Sequence, residues 1–494
     1  MYFINDINTS LFNKMPETSI FKKNKINLDD YDYQRDIKNR LLLSRFSSEY
    51  IQILEEIVYG SPIIPLSLLV QQVGKTYEEL QTILQKLSET DLFKIENQKI
   101  IVNKENRKYF ATQIIKFDKK FIPGVDFLRA LLKKVPIPVL LNWYPIPRTS
   151  DNIFDSLIEK YLGTPQTFQR YLSELNLENQ NLNGIVNDLL NSKNYKIYSE
   201  DLRKKYMLSK ESFEKHILYL EFNFLCCLIY EKKDGEWVEV VSLFQEWQDY
   251  LRFLKKTQPK KIEKKSQIHR TRPNDFAFVE DMSIIIELAI TIPLYVRLNN
   301  NENWMFDKQS INHIIKRVKG FDLHSEEGNS FLTNYFVKII QKLLFLKFSQ
   351  IQKGELIIEN DAKEWLALPT EKKALNIYNH TLKHLNSFAF PSQICNERNF
   401  HEITKTIKRI LNAEWVFLDD FLQGIIAPIS EKSKMMLKKK GGYWAYTLPD
   451  YSDKEIRFFK KVYECLFETG LITTGSYQGK TCLKITPFGQ FTFG

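Results

Sequence analysis

The sequence contains few of the residues that build disulfides, metal sites and flexible tails. Its 494 residues include five cysteines and seven histidines, and no two cysteines have the CxxC spacing. A scattered, odd number of cysteines does not form the framework of a disulfide-stabilised secreted domain. With 17 glycines and 17 prolines, long disordered tracts are not expected. We therefore expect a folded protein in a reducing compartment, with its cysteines acting as small apolar residues.

Long apolar runs are also missing. No stretch approaches the roughly 18 consecutive apolar residues that a transmembrane helix needs. The opening residues, MYFINDINTSLFNKM, have neither the basic segment nor the apolar stretch of a secretory signal. These absences predict a cytoplasmic protein with no membrane partner.

Motifs for catalysis and cofactor binding are missing as well. Gly475–Thr481 (GSYQGKT) looks like a phosphate-binding loop, but it is one residue short of GxxxxGK(S/T) and joins two predicted strands. His380 and His384 share one predicted helix face, yet Thr381 stands where a zincin motif needs glutamate. No Ser/His/Asp or Cys/His arrangement has a recognisable local context. The sequence predicts no enzyme, no cofactor, no metal site and no small-molecule substrate.

What the sequence does contain is a concentration of positive charge. Its net charge is +10, from 70 Lys and Arg against 60 Asp and Glu. Residues 252–272 hold nine Lys and Arg and one Glu, so this segment carries +8 and the rest of the chain +2. Because it has no apolar periodicity after Leu254, we predict a mobile or surface-laid linker rather than a core element. Such a run gathers phosphates through counterion release, independently of sequence; a plain solvated linker is the alternative.

The apolar patterns predict a mainly α fold with small β-hairpins (α+β), built from tandem winged helix-turn-helix modules that helical connectors join. Each module is expected to have three helices followed by a hairpin, with turns at Asn97-Gln98, at residues 232–235, where Asp234-Gly235 is the hairpin signal, and at Lys353-Gly354. The predicted divisions are a polar N-terminal arm (1–40), a first winged helix (41–120), a helical, proline-rich connector (121–180), a second winged helix (181–251), a basic linker (252–275), a third winged-helix domain (276–400) and a C-terminal winged helix (401–494).

Several local predictions follow from residue type. Four prolines between Val135 and Ser150 exclude a regular helix through much of that stretch, and the aromatic Trp143 and Tyr144 are expected to pin it to a neighbouring surface. The pattern at 293–298 predicts a helix. Residues 346–348 and 356–358 read as two short strands.

The outer faces of the predicted third helices distinguish the modules. In the first module that helix presents Glu78 and Glu79 at its leading end, and carboxylates there repel phosphates. The first module is therefore expected to pack or to bind a partner, and the second is the better nucleic-acid candidate, with a solvated charged face as the alternative. The candidate nucleic-acid-binding residues are Lys204, Lys205, Lys210, Lys215, Lys232, Lys233, Lys255, Lys256, Lys260, Lys261, Lys264, Lys265, Arg270 and Arg272.

One segment carries a family resemblance. Residues 343–378, LLFLKFSQIQKGELIIENDAKEWLALPTEKKALNIY, resemble the bacterial helicase-associated family that is related to the N-terminal region of XPB-like helicases. Trp365–Pro369 match its Trp-Leu-Ala-x-Pro-like signature, and Trp415–Asp419, Gly470–Ile472 and Leu483–Gly489 follow its later block. The resemblance covers residues 280–494. It implies a winged-helix array without a helicase motor, so that an ATP-driven partner would be a separate chain, and no functional residue carries over.

Together, these patterns predict a noncatalytic multi-winged-helix protein that binds DNA independently of sequence, as an accessory of a helicase-type machine. The alternative is a protein-interaction scaffold or a transcription regulator whose winged helices dock a partner protein. No single predicted helix has a dense base-reading face, which disfavours a regulator.

Overall fold

The computed structural model describes residues 26–146, 152–175, 177, 179–299, 302–318, 320–321, 326–441 and 443–494. Most of the predicted polar arm and the end of the proline-rich stretch lie outside the described residues. Two compact units are present. The first ends at Arg252 and also includes Met436–Thr447; the second comprises Phe253–Met435 and Leu448–Gly494.

Helices dominate the chain, and the sheets are small. Helices account for 56% of the described residues, and the sheets are antiparallel with two to four strands, which confirms the mixed α+β class. The elements up to Lys256 are α1 (Tyr33–Leu43), α2 (Ser48–Tyr59), β1 (Ile63–Pro65), α3 (Leu66–Val73), α4 (Tyr77–Leu87), β2 (Phe93–Glu96), β3 (Lys99–Val102), α5 (Lys104–Ile114), α6 (Val125–Leu132), α7 (Ile137–Trp143), α8 (Ile153–Leu162), α9 (Pro165–Glu174), α10 (Gln180–Asn191), β4 (Lys196–Tyr198), α11 (Ser199–Lys205), α12 (Lys210–Phe222), β5 (Cys226–Lys233), β6 (Glu236–Leu243) and α13 (Gln245–Lys256).

The remaining elements complete the second unit, except for one hairpin. They are β7 (His269–Arg270), α14 (Ala277–Thr291), β8 (Val296–Leu298), β9 (Trp304–Phe306), α15 (Lys308–Arg317), α16 (Glu326–Phe345), β10 (Ser349–Gln352), β11 (Glu355–Ile358), α17 (Asn360–Leu366), α18 (Thr370–Lys383), α19 (Glu397–Lys405), β12 (Val416–Phe417), α20 (Leu418–Gln423), β13 (Leu437–Lys440), β14 (Tyr443–Tyr446), α21 (Asp453–Glu468), β15 (Ile472–Tyr477), β16 (Lys480–Ile485) and α22 (Pro487–Phe493). The hairpin β13–β14 belongs to the first unit.

One order of elements, a helix, a short strand, two helices and a hairpin, occurs without interruption in two described stretches and with an insertion in two more. The insertions are the strand β9 in the third stretch and the hairpin β13–β14 in the fourth. We call these stretches repeat 1 (α2 to β3), repeat 2 (α10 to β6), repeat 3 (α14 to β11) and repeat 4 (α19 to β16). In repeats 1, 2 and 4 the short strand pairs with the last strand of the hairpin, in the orders β1-β3-β2, β4-β6-β5 and β12-β16-β15. In repeat 3, Val296 N donates to Gly354 O at 2.7 Å, beside the hairpin β10–β11.

The last hairpins of the four repeats share one turn geometry. Each closes through two residues with positive φ, namely Asn97-Gln98, Asp234-Gly235, Lys353-Gly354 and Gln478-Gly479. Two positive φ angles define the type I′ turn that matches the twist of paired strands. Asn97-Gln98 and Lys353-Gly354 confirm the sequence prediction. The predicted turn of residues 232–235 is too long, because β5 extends to Lys233 and β6 begins at Glu236. In the fourth, the strands extend to Tyr477 and restart at Lys480, so the predicted turn of residues 475–481 is too long.

Three other local predictions are wrong. Residues 293–298 are not helical, because Val296–Leu298 pair with Trp304–Phe306 as a hairpin. Residues 346–348 are the turn that ends α16, since Leu346 N still donates to Lys342 O and Lys347 has a φ of 58°. The prolines of the connector interrupt less than expected: Pro136 precedes α7 and Pro138 lies in its first turn, where a missing N–H costs little.

The core of repeat 3 contains the predicted apolar stripe. Phe336, Ile339, Ile340 and Leu343 of α16 are all buried. Trp365, the centre of the signature sequence, is buried against Phe348, and its Nε1 donates to Lys373 O at 3.3 Å. The signature therefore serves packing. The connector residues Trp143 and Tyr144 are buried as well, which confirms their predicted anchoring role.

Candidate nucleic-acid interface

The predicted basic linker begins as a helix, because α13 extends to Lys256. From Ile262 to Arg270 the linker lies across one face of the four-stranded sheet β12-β16-β15-β7. At one edge, Ile262 N donates to Trp415 O at 2.8 Å; at the other, His269–Arg270 pair with β15. Between these edges, Ile262 and Ile268 pack on Trp415 and Cys482. The linker is therefore laid on the surface of the sheet, but it is not free of core contacts, because two isolated isoleucines anchor it without producing a periodic pattern.

A glycine permits this close approach. A Cβ built on Gly475 would lie 2.7 Å from His269 O and 3.2 Å from Ile268 Cγ2. Backbone cannot retreat as a flexible side chain can, so any larger residue would push the linker away from β15. Gly475 thus fixes the position of the linker on the sheet.

The lysines of the linker differ in whether they form ion pairs. Lys255, Lys256, Lys260 and Lys264 are exposed, and none has an ion-pair partner among the described residues. Lys265 lies 3.3 Å from Glu414, and Lys261 is exposed where the chain bridges to Val416. Unpaired ammonium groups keep their full charge for a ligand.

The two arginines at the end of the linker serve the fold. Arg270 pairs with Asp275 at 2.6 Å. Arg272 is 2% exposed, and its Nε and Nη2 donate to the Asp281 carboxylate at 3.0 and 3.1 Å. Tyr335 Oη donates to the same carboxylate at 2.7 Å. The prediction that Arg272 contacts nucleic acid is therefore wrong in this conformation, because its guanidinium is enclosed in the core.

The third helix of repeat 2 is also enclosed. On α12, Phe213, Glu214, Ile217, Leu218, Leu220 and Glu221 are buried. Arg40 of α1 lies against this helix, 3.2 Å from Glu214 and hydrogen-bonded to Glu221. The prediction of a loosely packed arm through residue 40 is wrong from Tyr33 onward, where α1 begins. Because α1 covers α12, this helix could enter a DNA groove only if α1 dissociated from it.

A buried charge network joins α1, α12 and the end of α5. It consists of Arg40, Lys116, Lys134 and Lys210 with Asp36, Glu214, Glu221 and Glu239. Burial raises the pKa of Asp36, but Lys134 and Arg40 outweigh it and hold that pKa at about 2. Burial likewise opposes ionisation of Glu221, while Arg40 and Lys116 lower its pKa overall. Four cations and four carboxylates balance, as buried charges require.

The lysines predicted in repeat 2 all have partners. Lys204 and Lys205 lie 2.7 Å from Glu200 and Asp188. Lys210 belongs to the charge network, and Lys215 donates to Tyr33 Oη at 3.0 Å. On the hairpin, the ammonium groups of Lys232 and Lys233 lie over the rings of Trp237 and Tyr198. The structure therefore does not gather them into one open basic face.

A different helix presents such a face. On α21, the third helix of repeat 4, Lys454, Arg457 and Lys460 are exposed. Arg457 and Lys460 have no ion-pair partner in the described part of the chain, and Lys461 lies 2.8 Å from Glu464. Sequence analysis missed these residues. The signal was their spacing of three and four on the side of the helix opposite its apolar stripe.

A groove of about 690 Å³ runs beside this face. Its walls are α21 and α16, which contribute Arg457, Lys460, Phe331 and Lys338, and sheet residues such as Leu483 form its floor. Leu483 and Cys482 point to opposite faces of the sheet, so the groove and the basic linker lie on opposite sides of it. We call this feature the basic groove.

Other features of the described residues do not form a functional site. His380 and His384 stack with ring centroids 4.1 Å apart, and burial lowers the pKa of His380. Within the described ranges, no group of three His, Cys, Asp or Glu side chains could hold a metal ion. No described helix has the length and hydropathy needed to cross a bilayer. Comparison with protein-family models, with curated proteins and with solved structures found no match.

Proposed function

We propose that this protein is a noncatalytic array of winged-helix modules that binds DNA independently of sequence. The order helix, strand, helix, helix, hairpin is compatible with a winged helix in repeats 1 and 2, and in repeats 3 and 4 apart from their insertions. In repeats 1, 2 and 4 the first strand pairs with the last. An accessory role beside a separate helicase rests only on the family resemblance of residues 280–494.

The observation that carries the proposal is the set of unpaired cations in the second unit. Lys255, Lys256, Lys260 and Lys264 are exposed without ion-pair partners among the described residues, and α21 adds Arg457 and Lys460. Since they neutralise no carboxylate in the folded protein, phosphates can replace their counterions directly. This mode of binding needs no base contact, which fits the two carboxylates, Glu78 and Glu79, in the first turn of α4.

The test is a salt series with a labelled duplex, read by fluorescence anisotropy. The wild-type protein should bind with sub-micromolar Kd at about 50 mM salt and weaken steeply toward about 200 mM. Replacing Lys255, Lys256, Lys260 and Lys264 by Gln should flatten the slope of log K against log salt by up to about 3.6, at about 0.9 per phosphate contact.

A matched control removes the same charge elsewhere. Lys104, Lys108, Lys119 and Lys120 in the first unit are also exposed, and their replacement by Gln should change the slope far less. Equal effects of the two variants would place the interface outside the linker, and no binding at about 50 mM salt would refute DNA binding altogether.

One observation favours the scaffold alternative for repeat 1. The outer face of α4 is acidic, and Ile63, Leu68 and Tyr77 are 53%, 44% and 48% exposed. Exposed apolar groups beside carboxylates suit a basic protein partner better than DNA. A nuclease-treated pull-down should then recover a stoichiometric partner that Ile63→Ser with Tyr77→Ser releases; recovery unchanged by these substitutions would exclude this surface.

A further inference from the structure

The walls of the basic groove carry more positive than negative charge. Lys338, Arg457, Lys460 and Lys461 line it together with Glu464 and Glu468. Lys338 and Lys461 both pair with Glu464, and Glu468 is neutralised by Lys342 at 2.5 Å. Four cations against Glu464 leave a surplus of three positive charges. The groove is therefore suited to an anionic ligand with several charges along its length.

An aromatic platform lies beside these cations. Phe331 is 39% exposed and stacks on Tyr335, with centroids 5.8 Å apart and planes 29° from parallel. Hydrogen bonds fix the position of Tyr335. Its hydroxyl donates to Asp281, and Arg272 donates two hydrogen bonds to the same carboxylate. The buried Arg272 thus supports the platform rather than the ligand. A large ring left partly open on a rigid base offers a flat surface for stacking.

Hydrogen-bonding groups occur around the same groove. Asn334, Thr271, Thr474 and Thr481 line it with the aromatic residues. Its volume of about 690 Å³ falls in the range of sites that enclose small ligands. Cations, an exposed ring and scattered polar groups together match the way proteins bind unpaired nucleotides, by backbone neutralisation and base stacking.

We infer that the basic groove binds single-stranded DNA, with a base stacked on Phe331 and the backbone along Lys338, Arg457 and Lys460. Duplex DNA presents its bases stacked on one another, so no base is free to reach a ring inside a groove. This inference rests on the proposed DNA-binding function and adds a second form of DNA, the single strand, on the face of the sheet opposite to Ile262 and Ile268.

The test uses the full chain and a labelled thymidine oligomer of about 12 nucleotides, with a duplex, a uridine oligoribonucleotide and an abasic oligomer for comparison. Phe331→Leu should weaken binding of the thymidine oligomer about tenfold, as the loss of one stacked base does, and leave duplex binding unchanged. The preference for the thymidine oligomer over the abasic one should disappear in this variant. Phe491→Leu, which alters a ring that is 90% exposed on α22, is the matched control.

A second variant separates charge from stacking. Arg457→Gln with Lys460→Gln should flatten the salt slope for the single strand by about 1.4, at about 0.7 per phosphate, while the preference over the abasic oligomer persists. Photocrosslinking of a bromodeoxyuridine oligomer to the wild-type protein should label Phe331 or Tyr335, and this measurement needs no variant to fold.

Several results would overturn the inference. Equal affinity of the wild type for thymidine and abasic oligomers would exclude stacking, and tighter binding of the uridine oligomer would assign the groove to RNA. Single-strand binding that survives both groove variants but is lost with the linker lysines would move the site to the linker. Duplex binding without single-strand binding would refute the groove alone, whereas no binding of any form would refute the proposed function.

Discussion

Repeats 2 and 4 both contain many basic residues, nine and fifteen Lys and Arg respectively, but use them differently. In repeat 2, Lys210 is enclosed in the charge network, and Lys204 and Lys205 pair with surface carboxylates. In repeat 4, Arg457 and Lys460 are exposed and line the basic groove. Positive charge in a sequence therefore does not indicate an interface by itself. What matters is whether the fold brings a carboxylate to each cation.

The largest expected effect comes from removing a cation of the buried charge network in repeat 2. Arg40→Met leaves Glu214 and Glu221 buried without their main cation, which should cost about 3–5 kcal/mol of unfolding free energy. Urea unfolding measures this loss. The control Arg457→Met alters an exposed arginine of repeat 4 and should stay within about 0.5 kcal/mol. A loss below about 1 kcal/mol for Arg40→Met would mean that the network does not stabilise the fold.

Glu246 tests the same comparison, because it is a buried carboxylate for which no ion pair occurs among the described residues. Glu246 of α13 is 6% exposed and accepts a hydrogen bond from Val125 N at 2.9 Å. Burial raises its pKa from the ordinary 4.5 to about 7, and Asp249 and Asp126 add to the rise. Because the folded state holds the proton more tightly, the stability from this group is full below pH 4.5 and is lost as pH rises through about 7.

The variant Glu246→Gln should remove this pH dependence. Relative to the wild type, it should gain up to about 3 kcal/mol between pH 5 and pH 8, since one unit of pKa is worth about 1.4 kcal/mol. Urea unfolding at both pH values gives the difference. Parallel pH profiles for the two proteins would show that Glu246 ionises normally.

The smallest expected effect is the loss of DNA affinity when lysines of repeat 2 are replaced. Replacing Lys204, Lys205, Lys232 and Lys233 by Gln should weaken duplex binding less than about twofold, because these lysines are already partnered. The linker variant, which removes the same formal charge, should weaken it much more. A comparable loss in both variants, measured by anisotropy in the same buffer, would mean that the partners in repeat 2 release their lysines to DNA.

Local structure was predictable where the signal was local. The capping box of Thr76 and Glu79, the positive-φ turns such as Asp234-Gly235 and the apolar stripe of α16 were all readable from neighbouring residues. The errors lie where a distant segment decides the outcome. Residues 296–298 form a strand because 304–306 pair with them, and a helical pattern cannot reveal that partner.

The candidate site was less predictable for the same reason. The linker lysines are exposed as expected, yet Arg272 is buried because Asp281, nine residues later, meets it inside the core. The basic groove needs α16 and α21 side by side, although Phe331 and Arg457 are far apart in sequence. Neither Phe331 nor Arg457 is distinguished by its own neighbours.

Most helices, the hairpin turns and the location of the excess charge follow from the sequence, because propensity, turn chemistry and composition act over a few residues. Which charges remain free depends on tertiary contacts. An ion pair or a stacking platform forms between segments that the chain brings together from far apart, as Arg40 and Glu221 show. The energy of a charge depends on its surroundings, and those surroundings exist only in the folded protein.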